Sequence, residues 1–220
     1  MDVLTADQRR KLDPSDDGDF YALPRFVTHV DDGFIDHLTQ LYRERLKPGT
    51  RILDLMSSWI SHLPDDLTFA HVEGHGLNAA ELAKNPRLDH YFVQNLNQDT
   101  ALPFPDRHFD AVLIAVSVQY LQYPEAVFTE IARILTPGGM LIVSFSNRLF
   151  YQKAIAAWRD GTDAGHLQLV RRYFQSANAF PAPEVIIKPG HTLPAFLQLM
   201  GMGGSDPFYA VLAEKSLESP

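Results

Sequence analysis

Five short apolar runs bounded by turn-forming residues set the rhythm of the chain: Arg51 to Met56, Phe69 to Glu73, Tyr91 to Gln94, Ala111 to Ser117 and Met140 to Phe145. Each has strand length and lacks strict polar alternation, which predicts strands buried on both faces of a parallel sheet. The segments between them are expected to be helices. After Asp31-Asp32, the residues Ile35, Leu38, Tyr42 and Leu46 recur at helical spacing until Pro48-Gly49 stops the pattern. Pro124 opens a second such stretch; Val127, Ile131 and Leu135 share one side, and Pro137-Gly138-Gly139 closes it. A further helical region is predicted over roughly 152–174, with a short helix near 193–200. PAPEVIIKPG and the run Phe208 to Glu214 are expected to pair antiparallel at one sheet edge. Alternation of this kind predicts an α/β fold, a doubly wound sheet with helices on both faces. The polar stretch 1–19, with Pro-Ser-Asp-Asp-Gly at 14–18, is expected to form a loose arm.

Composition narrows the chemistry. With 220 residues the chain has room for one ordinary domain with terminal additions. It contains no cysteine, which excludes disulfides, thiolate metal sites and a cysteine nucleophile. Nineteen Lys and Arg against 27 Asp and Glu give a net charge of −8, a poor balance for binding nucleic acid or an anionic lipid surface. No apolar stretch reaches the length of a membrane span, and the polar, acid-bearing start resembles neither a signal nor a transit peptide. A cytoplasmic protein without membrane or nucleic-acid partners is expected.

In an open parallel sheet, ligands bind in the loops that follow the strand carboxyl ends. Three loops therefore matter: Asp54 to His62, Asn95 to Asp99, and the stretch after Val116. His71, Glu73 and His75 form an H-x-E-x-H pattern, but along an extended strand the two histidines stand about 13 Å apart, too far to share one ion, so no metal is expected. No G-x-S-x-G elbow surrounds Ser144 or Ser146, and no G-x-G-x-x-G follows a strand, which argues against a hydrolase nucleophile and a nicotinamide site.

The segments RILDL, LPFPDRHFDAVLIAVSVQYL, EIARILTPGG and LIVSFSNR, in this order and spacing, resemble class I S-adenosylmethionine-dependent methyltransferases of the type 11 branch. The resemblance runs from about Lys47 to Phe150 and continues more weakly to Glu214. It implies a mostly parallel seven-stranded sheet over 31–220, an N-terminal arm and cap over 1–30, and a helical insertion around 147–180. The implied cofactor is S-adenosylmethionine, held by Asp54, Met56, Ser57, Ser58, Gly76, Leu77, Asn78, Asn95, Leu96, Asn97 and Val116. The implied activity is in-line methyl transfer to a small-molecule acceptor. Tyr21, Arg25 and Arg148 are candidates for substrate binding, and His29, Gln119, Tyr120 and Asn147 for the chemistry.

Departures from the family pattern are concentrated in the first loop. Met56, Ser58 and Ile60 stand where glycines usually let the backbone approach the cofactor. Gly76 stands where a carboxylate normally holds the ribose hydroxyls, and Glu73 substitutes only if the loop turns back. Asn95 occupies a position near the adenine where an acid is common. Pro64 predicts a short helix after the loop, Trp59 is expected to be a packing residue and His62 a surface one. The rival reading is a methyltransferase-fold protein that has lost catalysis and serves as a binding or scaffolding subunit.

Overall fold

A computed structural model of the chain describes residues 2–190 and 205–217. Seven strands form: β1 Arg51–Leu55, β2 His71–Gly76, β3 His90–Val93, β4 Phe109–Ala115, β5 Leu135–Phe145, β6 Glu184–Lys188 and β7 Phe208–Glu214. They make one sheet in the order β3-β2-β1-β4-β5-β7-β6. β1 to β5 run parallel, while β7 lies antiparallel between β5 and β6. This is the doubly wound, mostly parallel seven-stranded sheet of the class I methyltransferase fold. The chain steps outward from β1 to β3 and then crosses back to β4. The carboxyl ends of β1 and β4 therefore flank the topological switch point, where a crevice must form.

Helices cover both faces. α1 spans Asp17–Phe20, α2 Asp32–Arg45, α3 Ala79–Leu82, α4 Pro124–Ile134, α5 Ala156–Arg159 and α6 Asp163–Ser176. The Asp31 carboxylate caps α2 by accepting from the Phe34 amide at 2.8 Å, and Arg43 and Arg45 suit its last turn. Phe34, Leu38, Leu41 and Tyr42 form the buried face of α2, so the stripe lies one residue away from Ile35. It packs with Ile52, Leu113 and Ala210 on one side of the sheet. On the other side α4 meets α6 through Phe128, whose ring lies 5.6 Å from Tyr173 and 5.4 Å from Phe174. Among the described residues, no helix is long and apolar enough to cross a membrane.

Four expectations are corrected. No helix joins β1 to β2 or β3 to β4: these loops carry no apolar stripe and spend their polar groups on hydrogen bonds to neighbouring elements. Pro137-Gly138-Gly139 does not close α4 but lies inside β5, where Phe109 pairs with Leu135 and Ala111 with Met140. Gly138 takes a φ of +76° there, and its amide donates to Lys215 O at 2.9 Å, so the insertion bulges toward the chain's last strand. The helical region over 152–174 divides into α5 and α6. The short helix near 193–200 lies outside the described residues.

The fourth correction concerns the arm, which is not loose. Val3 and Leu4 are buried in the core, and the Arg172 guanidinium donates to Val3 O at 2.6 Å. Lys153 is fully buried, and a buried ammonium needs acids and acceptors around it. The arm supplies them: Asp13 Oδ2 at 3.0 Å, Ser15 O at 2.8 Å and Asp17 Oδ1 at 3.6 Å. Lys11, also buried, donates to Asp17 Oδ2 at 2.6 Å. A packed arm makes Leu4→Ala costly, by about 2–4 kcal/mol in equilibrium urea unfolding. A loosely attached arm gives a change within about 0.5 kcal/mol in the same measurement.

Candidate functional site

The strand ends at the switch point open onto a cavity of about 350 Å³, within the range of small-molecule sites. Its floor is the turn leaving β1. Asp54 is buried there, and its Oδ2 accepts from Ser57 Oγ at 2.5 Å, with Ser61 as a second hydroxyl partner. Desolvation pushes the carboxyl up to about 6, and the two hydroxyls only partly offset this.

Met56 has a φ of +59°, the left-handed conformation that a glycine would adopt without strain. The turn is held by the buried His75. Nδ1 of His75 accepts from the Met56 amide at 3.0 Å, and Nε2 meets Gln94 O at 2.9 Å. Those two bonds define a neutral ring protonated on Nε2, and burial pushes its pKa down to about 4. His75 thus joins the ends of β1, β2 and β3. Its relation to His71 in the H-x-E-x-H pattern is only one of sequence, because His71 instead bonds Glu73 at 2.8 Å. Glu73 also meets His90 at 2.6 Å and is not part of the cavity wall. Among the described residues, no group of three or more His, Asp or Glu side chains is arranged to hold a metal ion.

The rest of the first loop is pinned residue by residue. Ser57 N donates to His75 O at 2.6 Å, and Ser58 Oγ to Glu81 Oε2 at 2.6 Å. Asn85 Nδ2 reaches both Ser58 O and Ser61 Oγ. Trp59 Nε1 donates to Val27 O at 3.2 Å, and His62 O accepts from Thr39 Oγ1 at 3.1 Å. His62 is therefore not a surface residue: it lines the cavity at a φ of +54°, and burial lowers its pKa. The fold-back also explains Gly76. A Cβ there would stand 2.5 Å from Ser57 O, so the loop leaves no room for an acid at this position. Glu81 and Ser58 are the hydrogen-bonding groups at that edge of the cavity.

The roof comes from the N-terminal segment. Asn78 caps α3 through Oδ1, and its Nδ2 donates to Tyr21 O at 2.7 Å. Glu81 Oε1 accepts from the Arg25 amide at 2.7 Å. The Arg25 guanidinium sits over the rings of Phe20, Tyr21 and Phe150, and its Nη1 is buried with no hydrogen bond among the described residues. The His29 ring packs edge-on against Phe150 at 5.1 Å, and partial desolvation lowers its pKa. On the remaining wall Asn97 Nδ2 donates to Asp17 Oδ2 and Tyr120 O, and Asn95 Oδ1 accepts from the Asn97 amide. Val116, a β-branched residue, is held at a φ of +52°, and its amide donates to Ser144 O at 2.8 Å.

Asp54, Met56, Ser57, Ser58, Gly76, Leu77, Asn78, Asn95, Leu96, Asn97 and Val116 all line this cavity, as do Tyr21, Arg25, His29, Tyr120 and Arg148. Gln119 and Asn147 do not. Gln119 is buried, with Nε2 bonded to Val116 O at 2.9 Å, and Asn147 is exposed. The Tyr120 hydroxyl accepts from the Phe150 amide, and Arg148 pairs with Asp206 at 2.8 Å. Sequence reasoning missed Asp17 and Glu81 as wall residues. Asp17 lies 80 residues from Asn97 along the chain, so no local spacing announces it.

Residues 58–143 match the type 11 family described as "Methyltransferase domain". A demethylmenaquinone methyltransferase of Thermus thermophilus is 34% identical over 97 residues, covering 39% of this chain and 44% of that protein. The chain thus matches less than half the length of that curated relative. Among solved structures, a chain of the complex containing the Haloferax volcanii Trm112 methyltransferase activator aligns with a TM-score of 0.62 at 16% identity, over 86% of this chain and 92% of that one. A phosphoethanolamine N-methyltransferase 2 of Haemonchus contortus, in complex with S-adenosyl-L-methionine, aligns with a TM-score of 0.55 at 15% identity, over 82% and 52%. These likenesses establish a shared fold.

Asp54 and His75 give the site an opposed pH dependence. A carboxyl raised from 3.8 to about 6 favours the folded state fully below pH about 4, and this contribution is lost as the pH rises through 6. An imidazole lowered from 6.5 to about 4 contributes fully above pH 6.5, and its contribution is lost as the pH falls through 4. Each amounts to roughly 3 kcal/mol, and the two nearly cancel. Asp54→Asn is therefore expected to gain stability relative to wild type between pH 4 and 7, and His75→Gln to lose it. Urea unfolding at several pH values checks both slopes; pH-independent differences contradict them.

Proposed function

We propose that this chain is an S-adenosylmethionine-dependent methyltransferase: residues 58–143 match the type 11 methyltransferase family, and the fold is that of class I methyltransferases. Its acceptor is a small, planar molecule bearing an acidic hydroxyl or carboxyl group, such as a reduced quinone. The observation that carries this reading is the pairing, in one cavity, of a buried acid whose ionisation is impeded with a half-buried guanidinium whose Nη2 donates to Phe20 O at 3.0 Å and whose Nη1 has no hydrogen bond among the described residues. The first suits a cationic cofactor and the second an anionic acceptor.

The donor set fits the cofactor. Asp54 would meet its cationic amino-acid end, and a nearby positive charge favours the ionised carboxylate. Ser58 and Glu81 offer hydroxyl and carboxylate groups for a ribose, in place of the position that Gly76 closes. Leu77, Leu96, Leu121 and Val116 supply apolar wall for a flat base. When bound, the cofactor supplies a sulfonium-activated methyl group. Transfer to an anion cancels charge instead of developing it, so the protein's main contribution is alignment and exclusion of water.

Arg25 and His29 do the remaining work. The Arg25 guanidinium, held over Phe20 and Phe150, favours the ionised acceptor and fixes its ring against aromatic faces. His29 has its pKa lowered by desolvation and by Arg25, so it stays neutral near pH 7 and accepts the acceptor's proton. The paired polar wall supports catalysis over the scaffolding alternative, since a disused pocket need not keep its hydroxyls and acids matched.

Methyl-labelled cofactor with a panel of phenols, reduced quinones and aromatic carboxylates tests the reading. Wild type is expected to label at least one acidic acceptor, and neutral isosteres are expected to stay unlabelled. Arg25→Met should raise the acceptor KM about tenfold or more, while His29→Gln should lower kcat with little change in KM. Absence of transfer across the panel, or equal labelling of neutral isosteres, contradicts it. Cofactor affinity is expected to strengthen as pH rises through about 6, with the slope abolished in Asp54→Asn.

A further inference from the structure

One buried carboxylate of the cavity wall holds the roof and the first loop at once. Asn78-Ala79-Ala80-Glu81 has the spacing of a capping box, in which the last side chain turns back to the N-cap amide. Only half of that pattern forms. Asn78 Oδ1 accepts from the Ala80 amide at 2.9 Å and from the Glu81 amide at 3.0 Å, as an N-cap should. The Glu81 carboxylate reaches away from its own helix instead. Oε1 accepts from the Arg25 amide at 2.7 Å, and Oε2 accepts from Ser58 Oγ at 2.6 Å. A local helix-capping bond is replaced by two long-range ones, across 56 and 23 residues of chain. Local rules broken in this way concentrate at functional sites.

Both residues assigned to the acceptor feel this carboxylate. Arg25 is anchored at two points: Glu81 holds its amide, while its guanidinium lies over Phe20 and Phe150 and donates from Nη2 to Phe20 O at 3.0 Å. Asn78 fastens the roof at Tyr21 and Ala22, and Trp59 fastens it at Val27. Between them, the Arg25 amide is the one backbone group of 23–26 that makes a hydrogen bond among the described residues. His29 packs edge-on against Phe150, and the charged groups that reach it are Glu81 and Arg25. Burial lowers the His29 pKa; the Glu81 charge opposes that shift and Arg25 adds to it.

We propose that Glu81 is a positioning residue for the acceptor: it seats Arg25 through the amide, faces His29 with its charge, and is itself fixed to the first loop through Ser58. This rests on the reading of Arg25 and His29 given above and adds the group that sets both. The two effects are separable. A glutamine keeps a carbonyl oxygen for the Arg25 amide and gains an NH2 that can donate to Ser58 Oγ, but it carries no charge.

The test compares wild type, Glu81→Gln and Glu81→Leu. Transfer is measured with saturating methyl-labelled cofactor and the phenol or reduced quinone that wild type labels fastest. The His29 ring is titrated by NMR in the full chain without ligand, its signal identified by loss in His29→Gln. Glu81→Leu is expected to raise the acceptor KM about tenfold or more, and Glu81→Gln to recover most of that loss. In Glu81→Gln the His29 midpoint and the acid limb of kcat should both move to lower pH, whereas Arg25→Met moves the His29 midpoint to higher pH. Thermal midpoints are measured alongside; should Glu81→Leu not fold, the His29 titration in Glu81→Gln decides alone. An unmoved His29 midpoint in Glu81→Gln, with transfer intact, overturns the proposal and leaves the acceptor reading standing. A KM in Glu81→Leu equal to that of wild type, or one in Glu81→Gln as high as in Glu81→Leu, also overturns it. Absence of transfer by wild type overturns both.

Discussion

The hydrogen bond from the Met56 amide to Nδ1 of His75 is the contact on which the site depends. A non-glycine residue in the left-handed region costs about 1–2 kcal/mol, and Met56 stands there at the end of β1. A buried acceptor aimed at its amide offsets much of that cost, since leaving the amide unpaired would add about 1–3 kcal/mol. The acceptor exists only while the imidazole is neutral, and burial enforces that state. With Nε2 fixed on Gln94 O, one side chain ties the ends of three parallel strands. From this follow the fold-back of Ser57 onto β2, the closure of the space above Gly76 and the position of Asp54 on the cavity floor.

A second constraint comes from the far side of the cavity. Lys153 has no exposed surface, so its charge must be met inside the protein, and residues of the arm meet it. Docking the arm for this reason also brings the roof segment over the strand ends, where Asn78, Glu81 and Trp59 fasten it. The cavity therefore has a floor set by β1 and β2 and a wall set by residues 80 positions away in sequence. Its acid near the third loop and its guanidinium in the roof both belong to the same N-terminal stretch.

The sheet was largely legible because buried parallel strands are written as apolar runs between turns, and six of the seven runs need only small shifts at their ends. β5 was not, because the bulge at Thr136–Gly139 hides its true start behind helix-ending residues. The first loop was legible as a departure but not as a structure. Its serines read equally well as caps, ligands or solvent-facing residues until Asp54, Glu81 and Asn85 are placed around them. His75 was visible only in a metal-like pattern, since nothing local reveals that its ring serves a turn 19 residues earlier. Gln119 was misplaced because position after a strand does not say whether a side chain faces the cavity or the backbone beneath it. The arm was misjudged because polar composition resembles disorder when the buried lysine it serves lies 140 residues away.

The central claim is that a first loop without its usual glycines still builds a nucleoside-cofactor site. Calorimetric titration of the wild-type chain with S-adenosylhomocysteine at pH 7.5 measures this most directly. Saturable one-to-one binding, weakened in both His75→Gln and Asp54→Asn while the variants remain folded, is the predicted result. No heat and no thermal stabilisation at millimolar ligand would contradict it.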